Sequence, residues 1–391
     1  MARMLQRLSQ GLRVTCAVAL LTVATYATAQ SMRGDHPDTY VVQRGDTLWD
    51  IAGKFLQRPW LWPEIWQANP QIQNPHLIYP GDIISLAYLN RVTAAPGPRE
   101  AVAQPINAIP LSDVEAFLKD LRVVDEFEHL PYVVGLEEDR LRTTQGQVAY
   151  IRGLAGATAG QRYAVVRPTV RYTHLDRLSL CCDLFHKDDL DFRGKRIADF
   201  QQYWTNVVTP DKGQELLGYE LQRVNVGTIT RGEVGGIQAS TLLLDETGRE
   251  VRIGDRLIAI DAQPYDLQFF PHPPAQQLEY GRARILGVAD ALTHGGPRDV
   301  VVLSVGAREG VDNGTVFSIW REGTNTVDRV QKGADRDADT VFFENKVRLP
   351  DEFAGHVMVF RTYDKVSYGL VMSSIKATRI GYHLKHPDAP Y

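Results

Sequence analysis

The sequence predicts an α+β chain of several domains: an N-terminal βααβ module, then a small α/β segment, then two related β-rich, barrel-like units. Three observations carry this. The chain has 391 residues, of which 44% are hydrophobic, 23% charged and 9% aromatic, a globular composition with length for roughly two to three domains. Residues 40–86 give strand, helix, helix and strand signals in close succession. Beyond residue 150 the sequence aligns with itself.

Residues 1–29 carry Arg3, Arg7 and Arg13, an apolar stretch from Val14 to Ala24, and Ala27-Thr28-Ala29 ahead of Gln30. This is the pattern of a signal peptide with a small-residue cleavage site. The apolar run is too short for the roughly 20 residues of a membrane-crossing helix, and no later segment approaches one, so the mature protein is expected to be soluble and exported. Cleavage removes three positive charges and no negative ones, which takes the net charge from -4 to -7.

The βααβ module is placed at residues 39–88. Gly45 makes a tight turn, Asp46 or Thr47 caps the first helix, and Leu48, Ile51, Ala52 and Phe55 recur at helical spacing. Pro63 opens the second helix and Asn69-Pro70 closes it. Pro80-Gly81 then turns the chain into the apolar strand Asp82 to Leu86. Trp49, Trp60, Trp62 and Trp66 fall here; Trp60 and Trp62, on the inter-helix loop, are the better candidates for exposed contacts.

Residues 89–110 read as a flexible linker, with several prolines and no apolar periodicity. A helix-plus-strand segment spans 111–145, its helix beginning at Ser112 in a capping-box spacing with Glu115 and burying Val114, Phe117, Leu118 and Leu121. The β-rich units are placed at 146–262 and 281–386, joined by a proline-rich linker at 263–280. Their kinship rests on Gly156-x3-Gly160-x2-Tyr163-x-Val165-x-Arg167, which aligns without gaps, at an offset of 154, with Gly310-x3-Gly314-x2-Phe317-x-Ile319-x-Arg321. Leu217-Gly218 is echoed by Ala354-Gly355, and Ile253-Gly254 by Ile380-Gly381. On this alignment the first unit is 17 residues longer, the excess lying in a polar insertion around Cys181-Cys182 and Asp183 to Asp191.

Composition and spacing also exclude. With 43 basic against 47 acidic residues and a pI near 6.2, nucleic acid is a poor partner. Three cysteines, Cys16, Cys181 and Cys182, make neither a disulfide framework nor a zinc spacing. His186, Asp188, Asp189 and Asp191 lack the glycine and spacing of a calcium loop. His383-x-x-His386 is the nearest metal-like pair and reads as surface histidine. No metal, cofactor or catalytic group is expected, and a β-rich repeat without converging polar residues suits binding better than chemistry.

Residues 40–86, with Gly45-Asp46-Thr47-Leu48-Trp49 and Leu77-Ile78-Tyr79-Pro80-Gly81-Asp82, resemble a LysM domain over its full length. The resemblance implies binding of N-acetylglucosamine-type glycan, chiefly peptidoglycan, in a shallow groove lined by Gly45, Asp46, Thr47 and Leu48 on one side and Asn74, Leu77, Ile78 and Tyr79 on the other. Leu48, Ile78 or Tyr79 would supply an apolar floor for a sugar face. The order of leader, module, linker and paired β units, with Val359-Phe360-Arg361-Thr362 and Ser367-Tyr368-Gly369-Leu370-Val371, resembles the LysM proteins associated with type IV pilus secretins, the TsaP-like family. That likeness implies a periplasmic protein holding the outer-membrane secretin ring to peptidoglycan, with a C-terminal region like a flagellar T-ring component. The cysteine-bearing insertion departs from the pattern. A cell-wall hydrolase or its regulator, or a flagellar or other envelope ring component, is the alternative.

Overall fold

The computed structural model describes residues 37–72, 78–86, 111–174, 184–186, 188–190, 196–198, 204–208, 215–260, 270–276, 278–289, 295–327 and 346–389. The expected leader at 1–29, the expected linker at 89–110, the pair Cys181 and Cys182, and Asn74 and Leu77 lie outside the described residues. The chain divides into two compact units, residues 1–110 and 111–391.

In the first unit, β1 (Thr39–Val41) is followed by α1 (Leu48–Phe55), α2 (Trp62–Gln67) and β2 (Ile83–Ser85). The two strands pair antiparallel, with Tyr40 opposite Ile84. Thr47 holds extended backbone at φ -113° and closes a capping box with Asp50, which satisfies donors that α1 would otherwise leave free. The core is Leu48, Trp49, Ile51, Ala52, Leu56, Trp60, Trp62, Ile65, Ile78 and Ile84, all at most 5% exposed. This corrects the expectation of exposure for Trp60 and Trp62. Pro59–Leu61 forms a 3-10 turn that leads straight into α2, so the inter-helix segment packs inward.

The second unit opens with α3 (Leu111–Lys119) and β3 (Leu121–Val124). The helix starts one residue before Ser112, so Ser112 lies in its first turn and is not its cap. Next come β4 (Tyr132–Leu136), β5 (Val148–Arg152) and β6 (Arg162–Thr173). Four short strands follow: β7 (Leu184–His186), β8 (Asp188–Leu190), β9 (Arg196–Ala198) and β10 (Trp204–Val208). The run ends with β11 (Leu216–Arg231), β12 (Ser240–Leu244) and β13 (Arg256–Ala259). A second run comprises β14 (Ile285–Ala289), β15 (Val300–Leu303), β16 (Val316–Arg321), β17 (Asn325–Val327), β18 (Lys346–Arg348), β19 (Glu352–Thr362), β20 (Ser367–Ser374) and β21 (His383–Lys385).

Each run closes on itself. Strands β12-β5-β4-β13-β6-β11 form a circuit sealed by β11 pairing with β12. Strands β14-β15-β20-β19-β16-β21 form a second, sealed where Arg284 bridges His383 and Leu384 N–H donates to the Ala283 carbonyl at 2.9 Å. Closure leaves little backbone unpaired at the barrel edges.

The two barrels share their register. Val165 lies between Asn225 and Leu257; Ile319, 154 positions on, lies between Gly355 and Leu384. The β6–β11 pairing shifts between Arg223 and Asn225, and β16–β19 shifts at the same step, between Ile319 and Trp320. Bulges between β4 and β5 and between β14 and β15 also coincide. A one-residue slip would turn every core side chain outward, so this agreement extends to the packing. Val133, Ile151, Val165, Ile229 and Leu257 fill the first barrel, and Ile285, Leu303, Ile319, Val359 and Leu384 stand at their positions in the second.

The echo of Gly218 in Gly355 is corrected by this register. Gly218 pairs with Tyr172, beyond the barrel, where β6 and β11 continue as a long hairpin with β3 beside it. Its φ of 144° and a Val123 methyl that would stand 2.9 Å from any Cβ explain the glycine locally. Because Asn225 is the counterpart of Gly355, the offset falls from 154 to 130 between the strands, and the first barrel's insertion is longer by 24 residues and not 17.

On that hairpin sits Glu220, fully buried. Tyr172 Oη donates to its Oε2 at 2.6 Å, Tyr368 Oη donates to the same oxygen at 2.9 Å, and Thr169 Oγ1 donates to Oε1 at 3.0 Å. Tyr368 belongs to β20 of the second barrel, so one carboxylate ties the first barrel's extension to the second. Burial, and then the Glu220 charge, pushes both tyrosine hydroxyls well above the usual phenol range.

Candidate functional site

The turn between β1 and α1 begins at Gly45, exposed and at φ 95°, a conformation that glycine adopts without steric cost. Asp46 follows it and is enclosed by its own module. Its Oδ2 accepts from Tyr40 Oη at 2.7 Å and from the Gln43 N–H at 2.8 Å, while Lys54 Nζ reaches Oδ1 at 2.9 Å. Burial raises the carboxyl, but Lys54, the Gln43 N–H and Tyr40 outweigh it and hold Asp46 below its ordinary value. Asp46 therefore clamps the turn onto α1.

Thr47 is likewise occupied: its Oγ1 accepts the Asp50 N–H at 3.1 Å and donates to Asp50 Oδ2 at 2.7 Å. Leu48 and Ile78 are each 1% exposed. Their side chains fill the core, so the apolar floor expected of them is not presented at the surface; burial is the stronger demand on two large aliphatic groups in so small a module. Tyr79 is half-buried, and its backbone N–H is fixed by Asp82 Oδ2 at 2.9 Å. Gly81, at φ 95°, turns the chain into β2. The described part of the expected groove thus offers the backbone of the Gly45 turn, the outer faces of Asp46 and Thr47, and Tyr79.

Asn69 escaped the sequence reading except as a helix end. It is fully buried; its Nδ2 donates to the Ile65 carbonyl at 2.7 Å and the Ser85 carbonyl at 2.8 Å, and its Oδ1 accepts the Ser85 N–H at 2.7 Å. One amide therefore clips β2 to the end of α2. An Asn directly before Pro at a helix terminus was the available signal, since Asn pairs with both donors and acceptors of backbone. His383 also differs from expectation: it is 1% exposed, with Nε2 2.7 Å from Glu322 Oε2, and serves the seam of the second barrel.

A two-stranded sheet packed on two short helices, with the Gly45 turn exposed, makes up the N-terminal module. Residues 40–87 match the LysM domain family; LysM domains bind peptidoglycan-type glycans, which gives this module its function class. An uncharacterised protein, YqbP, from Bacillus subtilis (strain 168), is 40% identical over 60 residues, a match covering 13% of this chain and 27% of that protein. The chain thus spans about a quarter of the length of the curated relative it matches.

Proposed function

We propose that this is an exported, non-catalytic peptidoglycan-binding protein of the cell envelope, whose β barrels stabilise the outer-membrane secretin ring of a type IV pilus machine. The LysM match at residues 40–87 carries the glycan half. In this reading a glycan chain lies across the Gly45–Thr47 turn and Tyr79, where backbone N–H and C=O groups bind acetamido groups and the Tyr79 ring packs on a sugar face. Asp46, Thr47, Leu48 and Ile78 act by shaping that surface. The leader at 1–29 supplies export and a periplasmic location.

The secretin half is supported by the resemblance carried by Val359 to Thr362 and Ser367 to Val371. Both strings lie on β19 and β20. Co-sedimentation of the mature protein with purified peptidoglycan tests the first half: the protein is expected in the pellet, and Tyr79→Ala is expected to shift it toward the supernatant. Crosslinking in the native envelope tests the second half, and capture without any secretin would overturn it. Release of soluble muropeptides from purified wall would overturn the non-catalytic assignment.

A further inference from the structure

The repeat leaves one strand edge open. In the second barrel, β21 covers only the start of β14, and β10 takes the rest of that edge, with Val207 opposite Gly287, Asn206 opposite Val288 and Trp204 opposite Ala289. Strand β10 comes from the first barrel's insertion, between β6 and β11. With it in place β14 is buried along its whole length, and Leu286 is buried.

Strand β4 is the counterpart of β14 by register, Val134, Gly135 and Leu136 standing where Leu286, Gly287 and Val288 stand. Strand β13 is laddered to β4 only at Tyr132, and Gly254 and Asp255 just before it hydrogen-bond both backbone groups of Val133, so the uncovered edge runs from Val134 to Leu136. No strand among the described residues pairs with it there. The side chains differ in the same sense: Val134 is 41% exposed where Leu286 is 0%.

The complementary piece is also on the chain. The second barrel's insertion leaves from the same gap, between β16 and β19, and its hairpin β17–β18 pairs only within itself among the described residues. That hairpin carries Val347 at 47% and the adjoining Leu349 at 44% exposure. A strand edge with an exposed valine and a two-stranded ribbon with exposed Val347 and Leu349 are the two halves that strand addition joins.

We propose that the open edge of β4 receives the β17–β18 hairpin of a second copy of this chain, repeating between molecules the junction that β10 and β14 make within one. Such a contact is head-to-tail: each copy offers one edge and one hairpin, so the association propagates into a ring or a filament. It uses nothing of the glycan reading and is tested apart from it.

Sedimentation velocity of the mature chain across a concentration series is expected to show stepwise growth beyond a dimer. Val134→Arg on the edge, and separately Val347→Glu on the hairpin, are each expected to raise the apparent Kd roughly tenfold or more while leaving the far-ultraviolet circular dichroism unchanged. Polarity is read by a short bismaleimide in a background with the native cysteines changed to serine. A mixture of Val134→Cys and Val347→Cys chains should crosslink, whereas neither chain alone should. A monomer at every concentration, or Val134→Cys chains that crosslink to one another, would overturn the proposal.

Discussion

The shared register places one volume exchange inside the two barrels. Gly227 of β11 corresponds to Val357 of β19, and Leu242 of β12 to Gly369 of β20. In the first barrel a Cβ on Gly227 would stand 2.8 Å from Leu242 Cγ; in the second, a Cβ on Gly369 would stand 2.5 Å from Val357 Cγ2. The large and small partners have changed strands. Gly369→Leu alone should force overlap with Val357, at a cost of about 1–3 kcal/mol. Val357→Gly alone removes three buried carbons at ~0.8 kcal/mol each and adds the entropy of a strand glycine, about 3 kcal/mol together. The double variant transplants the first barrel's pair into the second and should recover most of both losses. Urea unfolding followed by circular dichroism, with midpoint and slope fitted for all four chains, measures the coupling. Losses that add to within about 0.5 kcal/mol would refute the exchange.

Further outcomes follow from single side chains. Tyr368→Phe deletes one hydroxyl donor to Glu220 without a cavity and should lower stability by about 1–3 kcal/mol, read as a lower Tm. His356, 9% exposed, is held down to about 4 from its ordinary 6.5 by burial. The unfolded chain therefore takes up a proton between those values that the folded chain refuses. Its stabilising effect is complete above pH 6.5 and is lost as pH falls toward 4, by about 3 kcal/mol in all; His356→Asn should flatten that part of the pH–stability curve. Asn69→Ala strips the clip between α2 and β2 and should cost the LysM module about 2–4 kcal/mol, detected by the fluorescence of Trp49, Trp60, Trp62 and Trp66 on heating.

What could be read from the sequence was local and periodic. The Gly-x3-Gly pairs marked the repeat because Gly156, Gly160, Gly310 and Gly314 all take positive φ, from 73° to 101°, a demand that keeps glycine in place through divergence. Gly254 and Gly381 repeat for the same reason, at 93° and 84°. The Gly218 pairing misled because that glycine answers to a different neighbour, β3. In the N-terminal module a helix cap at Asp46 or Thr47 and Pro63 at the start of α2 were legible, since both are contacts within one turn; the box that Thr47 closes with Asp50 was not foreseen. Burial of Trp60 and Trp62 was not, because it depends on how the inter-helix turn folds back. Glu220 could not be recognised as a hub, for its partner Tyr368 is 148 residues away and no spacing rule links them.

Both departures from a plain barrel enter at one gap, after β6 in the first and after β16 in the second. The remaining strand connections keep nearly constant length between the two copies, as offsets of 152 to 154 before the gap and 127 to 130 after it show. The architecture therefore has one socket per barrel where the two copies differ in length, while the closed circuit beneath it keeps one register in both. Length at that rim and register in the core are decoupled: an insertion there can grow or shrink without shifting any strand of the closed circuit.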